Sequence, residues 1–427
     1  MMNIIKKFLM GNDQNIQKNS YIWNMLGGLL NAGQSVLILM VITRVAGIDN
    51  AGIFTIAYAS ANLFLTIGNY GMRSYQVTDV THRFSFGDYL GSRVTTCLIM
   101  IAVSIAYVVY GICFNDYSTN KALVVFVICL LKVIDAAEDV FAGYYQQQGR
   151  LDVASKIMTI RLLALIIVIC GSLIITKDLL LSSIITTIIC ALLSIIFNLA
   201  VYKEFVSYKE KWRLSIKKIR KLLFDCIGPF LAAFLSFYVG NAPKYAIDAN
   251  LPQDIQAYYG FIAMPVFVVG LLNNFLYQPI LTSLASDWAE KRRTQFVKRI
   301  CRQILIIFGI TAITLIGAYF LGIPVLSLLY SADLTPYKTE LLILLVGGGM
   351  LAVVGFINIV LTILRHQRDL IWGYTFIAIM AYLLSPVFVK TWGITGASWI
   401  YTILITALAL IFTVVLIVRI KMGFKEK

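Results

Sequence analysis

Apolar residues form twelve long stretches along this chain, and short polar segments separate them. Most of the stretches suit a helix that crosses the hydrocarbon core of a bilayer, which takes about 20 mostly apolar residues. The pattern therefore predicts an all-α membrane protein with about twelve transmembrane helices. The predicted spans are 21–42, 52–69, 94–114, 122–144, 157–176, 179–202, 222–240, 258–282, 304–321, 341–364, 370–389 and 394–418.

The placement of positive charge gives these spans an orientation. Of the 36 Lys and Arg residues, 28 lie in segments on the side of the N-terminus, Arg93 among them, and only six lie in segments on the other side. Because cytoplasmic segments of membrane proteins are rich in Lys and Arg, we expect both termini in the cytoplasm. The net charge of +15 then reflects these segments and does not indicate nucleic-acid binding.

A basic connection separates the spans into two sets of six. Its second half, 212–223, alternates Leu and Ile with Lys and Arg, which predicts an amphipathic helix on the inner membrane face. The predicted domains are thus an N-terminal six-helix bundle over 1–202, a linker over 203–221 and a C-terminal six-helix bundle over 222–427. Faint similarities between the halves favour a parallel repeat, although chance could also produce them.

No segment carries a known catalytic signature. The sequence has no P-loop, no G-x-S-x-G and no H-E-x-x-H motif, and its seven Cys form no C-x-x-C pair. We therefore predict a protein that is not an enzyme, with no catalytic residues, no cofactor and no metal site.

Charged residues inside the fourth span are the strongest functional signal. Lys132, Asp135 and Asp139 fall on one helix face, Glu138 lies at its edge, and Arg161 in the fifth span is a natural partner. Each such charge costs about 2.5–3.5 kcal/mol at the bilayer centre on insertion scales. Either these residues line a wet substrate cavity, or they form a structural cluster near the cytoplasmic end.

Amides and further cations provide the other candidate contacts. Asn31, Gln34 and Asn241 can both donate to and accept from sugar hydroxyls, or they join neighbouring helices. Arg44 and Lys244, like other cations near the membrane, suit a lipid-linked diphosphate, or they anchor helix ends at the interface. The cations of this set are Arg44, Arg73, Lys132, Arg161 and Lys244.

Four short segments carry a family resemblance. They are TRVAGIDNAGIFTIAYA from Thr43, GMRSYQVTD from Gly71, GNAPKYAI from Gly240 and GITGAS from Gly393. With them the chain resembles the polysaccharide repeat-unit flippases, the Wzx-type branch of the multidrug/oligosaccharidyl-lipid/polysaccharide exporter superfamily. The lipid II flippases of that superfamily generally have more spans than are predicted here.

The resemblance implies a fold, a function and contacts. Two pseudo-symmetric six-helix bundles would surround a central cavity that opens alternately to each side. The protein would move undecaprenyl-diphosphate-linked oligosaccharides across the cytoplasmic membrane of a bacterium for capsule, O-antigen or teichoic-type polysaccharide. Membrane lipid, a glycan polymerase and glycosyltransferases would be its partners. The resemblance carries over Arg44, Arg73, Asn241 and Lys244 as substrate contacts.

Two other functions stay open. A cation-coupled multidrug or metabolite antiporter of the same superfamily would use Asp135 or Asp139 as its ion carrier. Such antiporters usually have an acidic residue in the first or seventh helix, whereas the seventh predicted span has only Asp225 at its start and the first has none. A membrane-embedded glycan polymerase or ligase is disfavoured by the short outer segments.

Overall fold

The computed structural model describes residues 2–11, 15–79, 81, 83–205 and 215–423, and all regular secondary structure in these ranges is helical. The chain is an all-α membrane protein. It divides into two compact units, Met1–Phe234 and Leu235–Lys427. The domain bounds predicted at 202 and 222 stay a prediction, and residues 206–214 of the expected linker lie outside the described part.

The N-terminal unit contains ten helices or parts of helices in the described ranges. They are α1 (Met2–Met10), α2 (Ile16–Ala46), α3 (Ile48–Asn69), α4 (Met72–Thr78), α5 (Phe86–Phe114), α6 (Thr119–Gln147), α7 (Leu151–Thr176), α8 (Leu179–Phe205), α9 (Ile216–Asp225) and the start of α10 (Ile227–Asn250). Helix α6 is central, because it packs against α3, α5, α7 and α8.

The C-terminal unit begins within α10 and continues through five further α-helices in the described ranges. They are α11 (Gln253–Ala289), α12 (Arg293–Gly317), α13 (Ile323–Tyr330), α14 (Lys338–Ile363) and α15 (Gln367–Gly423). A π-helical turn, Ala318–Gly322, joins α12 to α13. Helix α15 contains two helices that meet at Gly393, whose φ of 56° interrupts the helix between the last two predicted spans.

The two units share one packing scheme. Helix α14, which carries the tenth predicted span, packs against α11, α12 and α15, as α6 with the fourth span packs against α3, α5, α7 and α8. Glycines permit the close approach in α14: a Cβ at Gly349 would clash with the Thr311 side chain. This correspondence supports the parallel repeat that the sequence suggested only faintly.

The predicted spans coincide with helices, with corrections at their ends. Among the described residues, eight helices are long and apolar enough to span a membrane, or nine if the bent pair α9 and α10 is one span. Helix α6 carries too many charges to be counted, and α15 holds two predicted spans. The stretch 222–240 is divided by a 49° bend at Cys226, so Asp225 ends α9 and does not open a span.

Helix α5 begins eight residues earlier than predicted, at Phe86. Ser85 and Asp88 form a reciprocal cap, in which each side chain accepts a hydrogen bond from the other residue's backbone N–H, at 3.2 and 3.0 Å. Arg93, which the sequence placed in the segment before the third span, therefore lies inside α5 and is buried.

Helix α1 is fixed at its C-terminal end by cations from α7. Lys156 Nζ donates to the carbonyl of Leu9 at 3.0 Å, and Arg150 donates to the carbonyl of Met10. These carbonyls have no partner within the helix, and the helix dipole favours cations beside them. Leu9 itself is fully buried, so this short helix is part of the packed unit.

We expect Lys156→Gln to release α1, because the exposed end carbonyls would lose their charged donor. Hydrogen exchange of the amides in Met2–Met10 should become markedly faster while exchange in α6 is unchanged. Lys6→Gln is the matched control. It breaks only the Lys6–Glu204 pair, whose two side chains are each 41% exposed, and such pairs contribute about 0.2–1 kcal/mol. Equal protection of α1 in both variants would contradict the anchoring role.

Candidate functional site

The charged residues of α6 form a first network around Arg161 of α7. Arg161 Nη1 lies 2.6 Å from Asp135 Oδ1, and its Nε donates to Glu138 Oε2 at 2.8 Å. Lys132 Nζ donates to Asp135 Oδ2 at 2.8 Å, and Ser194 Oγ of α8 donates to Glu138 at 3.0 Å. The predicted partnership of Arg161 with the fourth span is thus confirmed.

This Arg161 network is enclosed and balanced in charge. The side chains of Lys132, Arg161 and Glu138 are 2%, 3% and 6% exposed. Two cations face two carboxylates, and the ring of Tyr58 lies 5.1 Å from Lys132 Nζ, a distance at which an aromatic face attracts a cation. A buried ion pair of this kind adds little net stability. Removing one partner is nevertheless strongly destabilising, because the other charge stays buried without compensation.

A second network surrounds Asp139. Arg93 Nη2 of α5 donates to Asp139 Oδ2 at 2.7 Å, and Arg73 Nη1 of α4 donates to Oδ1 at 3.1 Å. Arg73 also donates to Gln146 Oε1 at 3.1 Å, and Arg93 donates to the carbonyl of Gly68. Arg73 is 36% exposed at its side chain, whereas Arg93 is 2% exposed.

The charged residues that were predicted to share one face of α6 therefore contact different neighbouring helices. Lys132 and Asp135 join α7, whereas Asp139 joins α4 and α5. The assignment of these residues to substrate binding stays a prediction, and a substrate would have to displace an ion pair to reach them. Sequence reasoning missed Arg93. The signal that could have placed it in a helix is the Ser-x-x-Asp cap formed by Ser85 and Asp88, which comes shortly before it in the sequence.

Of the three predicted contacts on α2, two are hydrogen-bonded partners and the third lies further along the helix. Gln34 is buried and donates through Nε2 to Asn31 Oδ1 at 2.8 Å, so these two amides are partners on one helix. Asn31 is exposed. Arg44 is exposed in the last turn of α2, ten residues further along the chain.

Helix α10 presents a polar and aromatic set in the C-terminal unit. The rings of Tyr238 and Tyr245 are stacked, with centroids 5.9 Å apart. Between them in sequence, Asn241 donates to the carbonyl of Phe237 at 3.0 Å, which leaves its carbonyl oxygen as an acceptor. Lys244 is half-buried, and the described part of the chain offers it neither an ion pair nor a hydrogen bond.

A turn next to the second network is organised by Asp79. Its carboxylate accepts the backbone N–H groups of Arg83 at 3.0 Å and Phe84 at 3.1 Å, and the Tyr89 hydroxyl at 3.2 Å. Gln147, at the end of α6, donates to the carbonyl of Asp79 at 2.9 Å. Burial raises the pKa of Asp79, but the hydrogen bonds outweigh it and hold the pKa below its ordinary value.

Metal binding has no support in the described ranges, where no group of three or more His, Cys, Asp or Glu side chains could hold an ion. The chemistry available is recognition by charge, amides and aromatic faces.

Comparison with known proteins adds a family and a fold. A family profile described as polysaccharide biosynthesis protein matches residues 18–285. The capsular polysaccharide biosynthesis protein CapF of Staphylococcus aureus is 21% identical over 392 residues, which cover 90% of this chain and 95% of that protein.

Two solved transporter structures have similar folds. An inward-facing multidrug resistance MATE family transporter of the MOP superfamily matches with a TM-score of 0.71 and 12% identity, over 96% of this chain and 99% of that one. The lipid II flippase MurJ in an inward closed conformation matches with a TM-score of 0.70 and 13% identity, over 96% and 90%. At these identities the likeness shows the fold alone.

We expect Asp135→Asn to destabilise the N-terminal unit strongly, because Lys132 and Arg161 would share one carboxylate in an enclosed place. Removing one partner of a buried pair costs about 3–5 kcal/mol. Thermal unfolding in detergent should show a lower melting temperature, and Lys132→Met combined with Asp135→Asn should recover part of the loss. A double variant less stable than the sum of its single variants would contradict this account.

Asp79 should make stability depend on pH. Because its pKa is lower in the folded chain, its ionised form stabilises the fold above the unfolded value of about 3.9. That contribution is lost as the pH falls through the folded-state pKa. Asp79→Asn should therefore lower the melting temperature at pH 7, and the difference from wild type should shrink below about pH 4.

The control for this pH experiment is Asp116→Asn, which changes an exposed carboxylate in the loop after α5. It should leave the melting temperature unchanged at both pH values. If Asp79→Asn lowers the melting temperature by the same amount at pH 7 and pH 3, the charge of Asp79 is not what stabilises the turn.

Proposed function

The chain belongs to the polysaccharide biosynthesis protein family, as its resemblance predicted, and from this premise we propose that it is a flippase for lipid-linked oligosaccharides. It moves undecaprenyl-diphosphate-linked repeat units from the inner to the outer leaflet of a bacterial cytoplasmic membrane, by alternating access. Both termini lie in the cytoplasm. The product serves a surface polysaccharide, and pathway glycosyltransferases and a glycan polymerase are candidate partners.

The names of the relatives support this choice of cargo. CapF, which is similar over nearly the whole chain, is described as a capsular polysaccharide biosynthesis protein. MurJ, which shares the fold, is described as a flippase for lipid II. From the first description we infer a polysaccharide product, and from the second a lipid-linked cargo.

The observation that carries the proposal is that Lys244 has no carboxylate partner in the described part of the chain. Four of the cations in or beside the spans, Arg73, Arg93, Lys132 and Arg161, already have carboxylate partners in the N-terminal unit. Lys244 is half-buried within α10 and has no such partner in the described part of the chain. An unneutralised cation in this setting is costly, and an anionic ligand such as a diphosphate would compensate it.

The neighbours of Lys244 suit the sugar part of the same ligand. Asn241 keeps its carbonyl oxygen available to a hydroxyl donor, and the stacked rings of Tyr238 and Tyr245 offer flat apolar faces with polar tips. A saccharide presents hydroxyls at its rim and C–H groups on its faces. The α10 set therefore matches both halves of a glycosyl diphosphate.

The MATE-like fold favours one alternative, a cation-coupled multidrug or metabolite antiporter. Its ion carrier would be Asp135 or Asp139. Each of these carboxylates already contacts two cations, Lys132 and Arg161 for the first, Arg73 and Arg93 for the second. A proton or sodium ion would have to compete with both, which makes these residues poor carriers.

Deleting the gene separates the two functions. If the chain is the flippase, the deletion strain should lose surface polysaccharide and accumulate undecaprenyl-diphosphate-linked repeat units, and a plasmid copy should restore both. Normal surface polysaccharide together with altered drug resistance would overturn the flippase in favour of the antiporter.

Charge reversal at Lys244 should abolish polysaccharide export, because the variant would repel the diphosphate. Lys244→Glu should reduce surface polysaccharide more than tenfold with the protein still in the membrane, since the charge-assisted bond that it removes is worth about 1.5–3 kcal/mol. Lys244→Arg keeps the positive charge and should therefore keep most activity. Arg44→Glu tests the second carried-over cation in the same assay. Lys390→Glu, at an exposed position of α15, is the control. Full export in the Lys244→Glu and Arg44→Glu variants would leave both cations as interfacial anchors.

A further inference from the structure

An open pocket lies at the joint between α9 and α10. It has a volume of about 450 Å³, and all the residues that line it belong to the N-terminal unit. Three are cations, Lys217, Arg220 and Lys221. Among the described residues that line the pocket none is acidic, so these residues do not neutralise its positive charge.

The three cations share one side of α9. Their spacing of three and four residues places them on adjacent turns of one helix face. Lys218 points elsewhere: its Nζ lies 3.8 Å from Asp88 Oδ2 and donates to the carbonyl of Arg83 at 3.4 Å. The structure describes no ion pair for Lys217, Arg220 or Lys221 within its ranges. The helix thus presents one neutralised cation to α5 and three others to the pocket.

The rest of the lining is apolar and belongs at a membrane surface. Tyr70, Phe224 and Ile227 line the pocket beside the cations. Phe224 is 74% and Ile216 84% exposed on the same short helix. Exposed apolar residues among Lys and Arg are typical of a helix that lies in the interface, and the 49° bend sets α9 off the direction of α10.

The floor of the pocket is built in advance. Tyr70 and Gly71 both have left-handed backbone conformations, with φ of 50° and 64°. The Tyr70 ring stacks on Phe230 with centroids 4.5 Å apart, and a Cβ at Gly71 would lie 2.7 Å from Pro229 Cβ. Tyr75 donates to Asp225 at 3.2 Å. These contacts fix α3 and α4 against the joint, so little ordering is needed when a ligand binds.

We propose that this pocket binds the diphosphate of an isoprenoid lipid, with the cations on its phosphates and the apolar wall against its first isoprene units. The sign and number of the charges favour a diphosphate over a phospholipid, whose single phosphate carries half the formal charge. The pocket is a site at which cargo docks from the inner leaflet, which rests on the proposed function. It differs from the α10 set, because no residue is common to both.

Native mass spectrometry of the full-length chain in detergent tests the site, with undecaprenyl diphosphate and phosphatidylglycerol as probes. Wild type should bind undecaprenyl diphosphate at least about tenfold more tightly than phosphatidylglycerol. Arg220→Gln with Lys221→Gln should weaken that binding about a hundredfold or more, since each of the two charge-assisted bonds lost is worth about tenfold or more. Arg220→Lys should keep most of the affinity.

Lys218→Gln is the matched control, because it removes one positive charge from the same helix at a residue that lies near Asp88 and does not line the pocket. It should change the affinity less than about twofold, the range expected of an exposed charge. An equal loss in Lys218→Gln would show that only the overall charge of α9 matters and would overturn the site. Phosphatidylglycerol binding as tight as undecaprenyl diphosphate binding would overturn it in favour of a phospholipid.

Two further outcomes keep this proposal separate from the proposed function. Should the double variant not fold, inorganic diphosphate must displace undecaprenyl diphosphate from wild type, and failure to do so counts against the site. Wild-type binding that needs Arg220, in a chain whose deletion leaves polysaccharide export normal, would overturn the flippase and keep the pocket. If the variant with Arg220→Gln and Lys221→Gln loses its binding selectivity but still exports polysaccharide, the pocket is overturned as a docking site and the flippase is kept.

Discussion

Arg161 holds two carboxylates of α6 from the neighbouring helix α7, and the rest of the N-terminal unit is arranged around that contact. A helix with Lys132, Asp135, Glu138 and Asp139 cannot face lipid, because each charge would remain uncompensated there. It must therefore be central, and α6 does pack against five other helices, α3, α4, α5, α7 and α8. Ser194 brings α8 into the same network, so α6, α7 and α8 are joined by polar contacts as well as by packing.

The second network extends this constraint to the remaining elements. Asp139 is held by Arg93 of α5 and Arg73 of α4, and the Asp79 turn connects α4, α5 and the end of α6. Separating α4, α5 or α7 from α6 would leave a charge without its partner, which is strongly destabilising where the charge is buried.

The C-terminal unit also packs around a central helix, but through different contacts. Its central helix α14 uses glycines, and Gly347 and Gly349 approach Tyr401 and Thr311. Its carboxylate Glu340 lies in the first turn and accepts from Thr395 at 2.5 Å. Because Glu340 is engaged with Thr395, it does not neutralise Lys244 of α10, the cation that the proposed function assigns to a ligand.

The sequence predicted what depends on composition along one helix and missed what depends on contacts between helices. Hydropathy located the spans, and the unlike charges of Asp135 and Arg161 suggested their pairing. Arg93 was placed outside a helix because it is charged, while its neutralisation by Asp139 depends on how α5 meets α6. Helix α1 is too short and polar to signal a span, and the pocket depends on a bend at Cys226 and on the conformation of Tyr70, which no periodicity reveals.

Arg73 and Arg93 differ in how readily each could leave Asp139 for a substrate phosphate. Both guanidinium groups contact Asp139, but one side chain is 36% exposed and the other 2%. If a phosphate draws Arg73 away, Asp139 keeps Arg93, so no carboxylate is left unpaired and the released cation is already near water. Drawing away Arg93 would also break its bond to the carbonyl of Gly68 in an enclosed place. Arg73 can therefore change partners while the fold keeps its balance of charge, which favours it over Arg93, Lys132 and Arg161 as a substrate contact within the N-terminal unit.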